Sequence, residues 1–230
     1  ALVVYGDLLA DPGWSGYDPE EAYTVFNELA SKGFWGARYR LAALHAHHSF
    51  SKASAKKGYS LYKSLYDDNR NADLEVRRVY AARAAYQLFK CTLDGVGVRA
   101  SESKATKWLE LSAEGGHVIS QYELGKRLVA GDGANSDFDR GVSWLIGAAR
   151  RGHVDARGEL ARLNLDHPIV DLDQDIIVGW LKELVDAGSG DARLLLRRYG
   201  IEYKAPATRE KRPSDEKERK YDPYAPIEAA

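Results

Sequence analysis

The chain has 230 residues, 44% hydrophobic and 29% charged, enough for one large domain or two ordinary ones around a sizeable core. Its 33 Lys and Arg stand against 34 Asp and Glu, so no net field draws it to nucleic acid or to an anionic membrane. No apolar run approaches the ~20 residues of a membrane-spanning helix, and the single cysteine, Cys91, excludes an intrachain disulfide. The sequence begins at Ala1 and holds no methionine, so its N-terminus is expected to be processed or cut from a longer chain.

Cap signals mark the first helix pair: Asp18, then Pro19 at the first helical position, then Glu21 three residues after the cap. Val25, Gly33, Ala37 and Leu41 then set a frame that recurs along the chain. Trp108, Trp144 and Trp180 are each 36 residues apart. Each is followed at the same offsets by a glycine (Gly116, Gly152, Gly188), a small residue (Ser120, Ala156, Ala192) and a leucine (Leu124, Leu160, Leu196). Leu61 and Asn69 fit the same frame, asparagine being the next-best residue for a left-handed helix end. Counting back from Val25 puts Ala1 in the small column and Tyr5 in the leucine column. One spacing breaks: Ala37 to Ala84 is 47 residues rather than 36. The surplus falls around residues 70–80 and is expected to lengthen the following helix at its N-terminal end or to add a turn.

Each unit reads as two helices. In the best-formed one the first runs from Ser120 towards Gly131 and ends in a Gly-rich turn, and the second runs from Arg140 to Gly152. Gly125, Ala148 and Ala149 let one helix backbone approach the next, and Trp144 and Leu160 fill the groove between them. The tryptophan column (Trp108, Trp144, Trp180) is therefore read as packing, and the glycine column (Gly116, Gly152, Gly188) as helix ends. The spacing builds a helical hairpin that stacks on copies of itself.

These residues resemble the Sel-like repeat family, a relative of the tetratricopeptide repeat. Ser120, Leu124, Gly125, Gly131, Gly133, Trp144, Ala148, Ala149 and Gly152 carry the resemblance, which extends in weaker form over about residues 1–200. The family's aromatic near the end of the first helix is replaced here by Leu9, His45, Thr92, Leu128 and Asn164. The expected fold is an all-α, right-handed α-solenoid of about five two-helix units (about 1–36, 37–83, 84–119, 120–155 and 156–191). A capping helix over 192–200 carries Leu194, Leu195 and Leu196, and a charged, Pro-containing tail spans 201–230. The resemblance implies a non-catalytic adaptor or scaffold that holds a protein or peptide partner, with neither nucleic acid nor cofactor. Its setting would be a bacterial envelope or secretion process, and its location periplasmic or secreted. An immunity or regulatory protein that neutralises a secreted effector or envelope enzyme is the alternative, and a hydrolase the remote one.

In a tetratricopeptide-like arrangement the first helix of each unit lines the concave side. Residues two and six places after the small column then give Tyr39, Tyr86 and Tyr122, with Lys90 and Lys126, and Arg83 precedes Ala84. This patch of aromatics and cations suits an extended peptide with a carboxylate, though tyrosine in that column also serves packing. His45, His47 and His48 read as surface histidines, with a metal pair at His45 and His48 as the alternative. His117 and His153 read as loop residues, Cys91 as a small buried hydrophobe, and Asp166, Asp171, Asp173 and Asp175 as a solvated loop with helix caps. No Ser-His-Asp order, repeated carboxylate pair or phosphate loop appears. The tail segment from Tyr221 to Ala230 is a candidate for docking along a partner or along the solenoid itself.

Overall fold

The structure, a computed structural model, describes residues 2–47, 54–131, 137–166 and 172–204. Among these residues there are eleven helices and no strands: α1 (Leu2–Leu9), α2 (Pro19–Ser31), α3 (Trp35–His47), α4 (Ala55–Asn69), α5 (Glu75–Asp94), α6 (Glu102–Glu114), α7 (Val118–Ala130), α8 (Phe138–Arg150), α9 (Val154–Asp166), α10 (Gln174–Asp186) and α11 (Gly190–Arg198). They form five successive pairs and one closing helix. The described residues divide into two compact units, one up to Ser120 and one from Gln121 to residue 204, with the boundary inside α7.

Local chemistry sets the helix ends. The Asp18 carboxylate accepts from the backbone N–H of Glu20 and Glu21 at 3.0 and 2.9 Å, satisfying two donors that the first turn of α2 leaves open. Asp137, Asp173 and Ser189 each accept one such backbone N–H, capping α8, α10 and α11. Gly116, Gly152 and Gly188 end their helices with φ of +85°, +92° and +96°, the left-handed turn the glycine column implied. Asn69 departs from that expectation: no non-glycine residue among those described has positive φ. Asn69 stays inside the last turn of α4, fully buried, donating to the Leu65 carbonyl at 2.6 Å and accepting from Arg77 at 2.8 Å. The extra residues after it let the chain turn without a left-handed position, and they also lengthen α5 to 20 residues at its N-terminal end.

Packing follows the small residues. In the first unit α2 packs on α1 and α3, α4 on α3 and α5, and α6 on α5, while α3 also touches α5. In the second unit α9 packs on α8 and α10, and α11 on α10 and α9. A Cβ placed on Gly58 would stand 2.6 Å from the backbone nitrogen of Ala46 and 2.8 Å from the carbonyl of Ala42, so α3 and α4 lie backbone to backbone there. Gly125 and Gly141 make the same approach between α7 and α8, each would-be Cβ lying 2.9 Å from the other's carbonyl oxygen. Phe26, Leu44, Tyr62, Leu65, Leu88 and Leu109 fill the first core, and Leu145, Leu160, Ile177, Leu181 and Leu196 the second. The leucine column is buried at Leu41, Leu88, Leu124, Leu160 and Leu196 but 40% exposed at Tyr5, where α1 also shows Leu2, Val4 and Leu8 to solvent.

Of the three tryptophans in the repeat column, Trp108 meets Tyr66 edge-on at 5.2 Å. Trp180 is buried with the Arg157 guanidinium 5.6 Å from its ring, and Trp144 is half-buried in α8. In α11 Leu195 and Leu196 are buried while Leu194 faces solvent, so two of the three expected capping leucines close the core. Just beyond, Tyr203 donates to the Asp186 carboxylate at 3.0 Å, bringing the chain back onto α10. The rest of the tail, with its candidate docking segment, lies outside the described residues, as do His48 and Asp171.

Two glycines stand inside helices with open space where a Cβ would go: Gly158 in α9 and Gly179 in α10. Alanine at either is expected to raise stability by about 0.5–1 kcal/mol, because it lowers the entropy of the unfolded chain without a clash. A urea midpoint that fails to rise in the two variants would contradict this.

Candidate interaction surface

Arg83, Tyr86 and Lys90 share one face of α5 by helical spacing and are all half-buried. Tyr86 leans on the imidazole of His117, ring centroids 4.8 Å apart and planes at 36°, and on Phe89 at 5.8 Å. In the second unit Tyr122 stacks on His153 at 4.3 Å and 26°, and Lys126, one turn on, places its ammonium 5.3 Å from the Tyr122 ring. Consecutive repeats thus build the same tyrosine–histidine pair beside a cation.

Tyr39 does not join them. It is buried, accepts a hydrogen bond from Gln87 at 3.0 Å, and packs against Tyr62 at 5.4 Å and Tyr80 at 6.3 Å. Burial raises its phenol above the ordinary range. The surplus residues explain the difference: they replace the histidine position that follows Gly116 and Gly152, and the longer α5 lays Tyr80 over the ring instead. His45 also leaves the surface. It is 1% exposed, edge-on to Tyr23 at 5.5 Å, and burial lowers its pKa. Among the described residues no group of His, Cys, Asp or Glu is arranged to hold a metal ion. Cys91 is buried as expected, its thiol pushed up to about 11 by desolvation.

The two loop histidines have structural work that the sequence reading missed. His153 precedes α9, and its Nδ1 accepts from the Ala156 N–H at 3.3 Å, acting as an N-cap. His117 precedes α7, but the third residue on is Ser120, whose hydroxyl changes the pattern. Ser112 donates to the Ala82 carbonyl at 2.7 Å, the Ser112 and Ser120 hydroxyls are 2.7 Å apart, and Ser120 Oγ is 2.8 Å from His117 Nδ1. Each hydroxyl has one proton. Ser112 gives its proton to Ala82, so Ser120 gives its own to Ser112, and the last link needs a proton on His117 Nδ1. The neutral ring then carries its lone pair on Nε2. The 3.4 Å approach of the Ser120 N–H to Nδ1 is left as a contact. Both serines are fully buried, so the chain fixes the ring. Burial, aided by the Arg83 guanidinium, holds the His117 pKa down to about 4. A histidine after each of two successive column glycines, with a serine three residues on, was the signal available in the sequence.

Beside His117 lies a cavity of about 310 Å³. α5 contributes Val79, Ala82 and Arg83, the turn before α7 contributes His117, and the start of α7 contributes Val118 and Ile119. Gly115 also lines it, and a Cβ there would meet that of Ala82 at 2.8 Å.

Residues 82–117 and 118–153 each match the Sel1 repeat family, two residues out of step with the frame read from the columns. No curated protein matches the chain by sequence. Among solved structures the chain is similar to a Sel1 repeat protein from Oxalobacter formigenes, with 20% identity and a TM-score of 0.62 over 83% of this chain and 74% of that one. It is also similar to an immunity protein from Pseudomonas aeruginosa, with 19% identity and a TM-score of 0.50 over 84% and 66%. Both likenesses are of fold. The chain thus carries two Sel1 repeats, over residues 82–117 and 118–153, within a helix-pair fold like that of a solved Sel1 repeat protein.

Proposed function

We propose that the chain is a non-catalytic adaptor or scaffold that binds a protein or peptide partner through the first-helix surfaces of its Sel1 repeats. Sel1 repeat proteins generally mediate protein–protein interaction. The observation that carries the reading here is the tyrosine–histidine pair built twice beside a cation, Tyr86 and His117 with Arg83 and Lys90, then Tyr122 and His153 with Lys126. A flat ring held in one orientation offers contact area with little rotamer entropy left to lose, and a neighbouring cation supplies a charge-assisted bond. The fold shared with an immunity protein supports a second reading, in which the partner is a secreted effector or envelope enzyme that the chain neutralises in the periplasm or outside the cell.

A crosslinking capture from the native source tests the surface. The intact chain is compared with a Tyr86→Ala, Tyr122→Ala, Lys126→Glu variant whose helicity is verified by circular dichroism. The expected result is one partner held by the intact chain and reduced about tenfold or more in the variant, as for hot-spot residues. Equal capture by both chains would overturn the surface assignment. Adding the purified chain to the captured partner then separates the two readings: loss of that partner's own activity marks a neutralising protein, and unchanged activity an adaptor.

A further inference from the structure

The cavity beside His117 is built where the repeat departs from its own spacing. α7 and α9 begin two residues ahead of their small-column residues, Ser120 and Ala156, whereas α5 begins nine ahead of Ala84. Val79 belongs to that added stretch and lines the cavity. The stretch is not polar where it meets solvent: Leu74, Val76 and Val79 are 57%, 45% and 41% exposed. Ala82, Val118 and Ile119 complete an aliphatic lining, to which Gly115 and Gly116 add no side chain. The volume of about 310 Å³ sits at the low end of small-ligand pockets, ~300 Å³ upward, which is room for one side chain rather than a helix or a strand.

The two polar lining residues narrow the choice of occupant. His117 is neutral at pH 7, because burial and the Arg83 guanidinium hold its pKa at about 4. The same guanidinium opposes an incoming ammonium group. It already has an interaction within the chain, and a carboxylate would give up its water for aliphatic walls. An uncharged aliphatic side chain loses no such hydration and gains by leaving water. The His117 ring also leans on Tyr86, 4.8 Å away, so the cavity adjoins the first of the two tyrosine–histidine pairs. Protein interfaces draw much of their affinity from a few anchors seated in such pockets. We infer that this cavity seats one uncharged aliphatic side chain, of leucine size, projecting from the partner protein. The inference rests on the protein-binding role proposed above and states the chemistry of that partner's anchor residue.

The test titrates three small probes into the full chain while the methyl groups of Val79, Val118 and Ile119 are followed by NMR. The probes are N-acetyl-leucine N-methylamide and its lysine and aspartate counterparts, which differ only in the side chain. Saturable shifts of all three residues by the leucine probe are expected, with binding about tenfold or more weaker for each of the other two. Val79→Asn, at a partly exposed position, should weaken the leucine probe by about tenfold with unchanged helicity. Val76→Asn, one turn away and outside the lining, should leave its binding unchanged. No saturable binding, equal binding of the three probes, preference for a charged one, survival of binding in Val79→Asn, or equal loss in Val76→Asn would each overturn the inference. If the probes fail while the tyrosine–lysine variant still loses its partner, the cavity assignment falls and the interaction role stands. If the leucine probe binds and the partner ignores that variant, the tyrosine–lysine surface falls and the cavity remains.

Discussion

Valine at position 125 is expected to lower the stability of the second unit by about 3 kcal/mol, the upper range for forcing atoms into a filled space. A Cβ there would lie 2.8 Å from Leu145 Cγ and 2.9 Å from the Gly141 carbonyl oxygen. The carbonyl belongs to the backbone of α8 and cannot rotate away, and valine adds two further carbons to the Cβ. Replacing glycine inside a helix gains some backbone entropy, but that gain is under about 1 kcal/mol and does not offset the overlap. Urea unfolding followed by far-ultraviolet circular dichroism reads the effect, with Gly158→Ala as the counterpart substitution into open space. A loss below about 1 kcal/mol would mean that the two helices separate freely and that the glycine pair does not set their distance.

Lowering the pH from 7 to 4 is expected to remove on the order of 3 kcal/mol of stability through His117 alone. The unfolded chain carries an ordinary histidine near 6.5, while burial and Arg83 hold the folded one at about 4. The folded value is the lower, so falling pH protonates the unfolded state first. The contribution is whole above about pH 6.5, shrinks between 6.5 and 4, and is gone below the folded pKa. Protonation leaves Nδ1–H donating to Ser120; what opposes it is placing a second positive charge near Arg83 in a partly desolvated site. Comparing the intact chain with His117→Asn, whose side chain does not titrate in this range, cancels the contributions of other titrating groups. Parallel loss of stability in the two chains between pH 6.5 and 4 would show that His117 is not the source.

The repeat was readable because its physics is local. A glycine forced into the left-handed region, a small residue where two backbones meet and a buried leucine each recur at fixed offsets, and Gly116, Ser120 and Leu124 stand where those offsets put them. Asn69 and Tyr39 were misread for one shared reason. Both lie beside the irregular spacing, and where surplus residues go is decided by tertiary packing: Arg77 reaches back to Asn69, and Tyr80 covers Tyr39. His45 fell to the same limit, since no single-residue signal distinguishes a surface histidine from one packed under Tyr23. The cavity was half legible. Arg83 was singled out by its column, but its pairing with His117 depends on a turn between α6 and α7 and on the proton order of two buried serines, which spacing does not encode.

Within each unit the helices pack chiefly on their neighbours in the chain, and α3 with α5, or α9 with α11, are the next step out. Native contacts therefore close short stretches of polypeptide, for which the entropy of loop closure is small. Such a topology can gain structure quickly and from several places along the chain. A hairpin leaving the ribosome meets the surface it packs on in residues already made, so the protein can order itself from its N-terminal side during synthesis without waiting for its last residues.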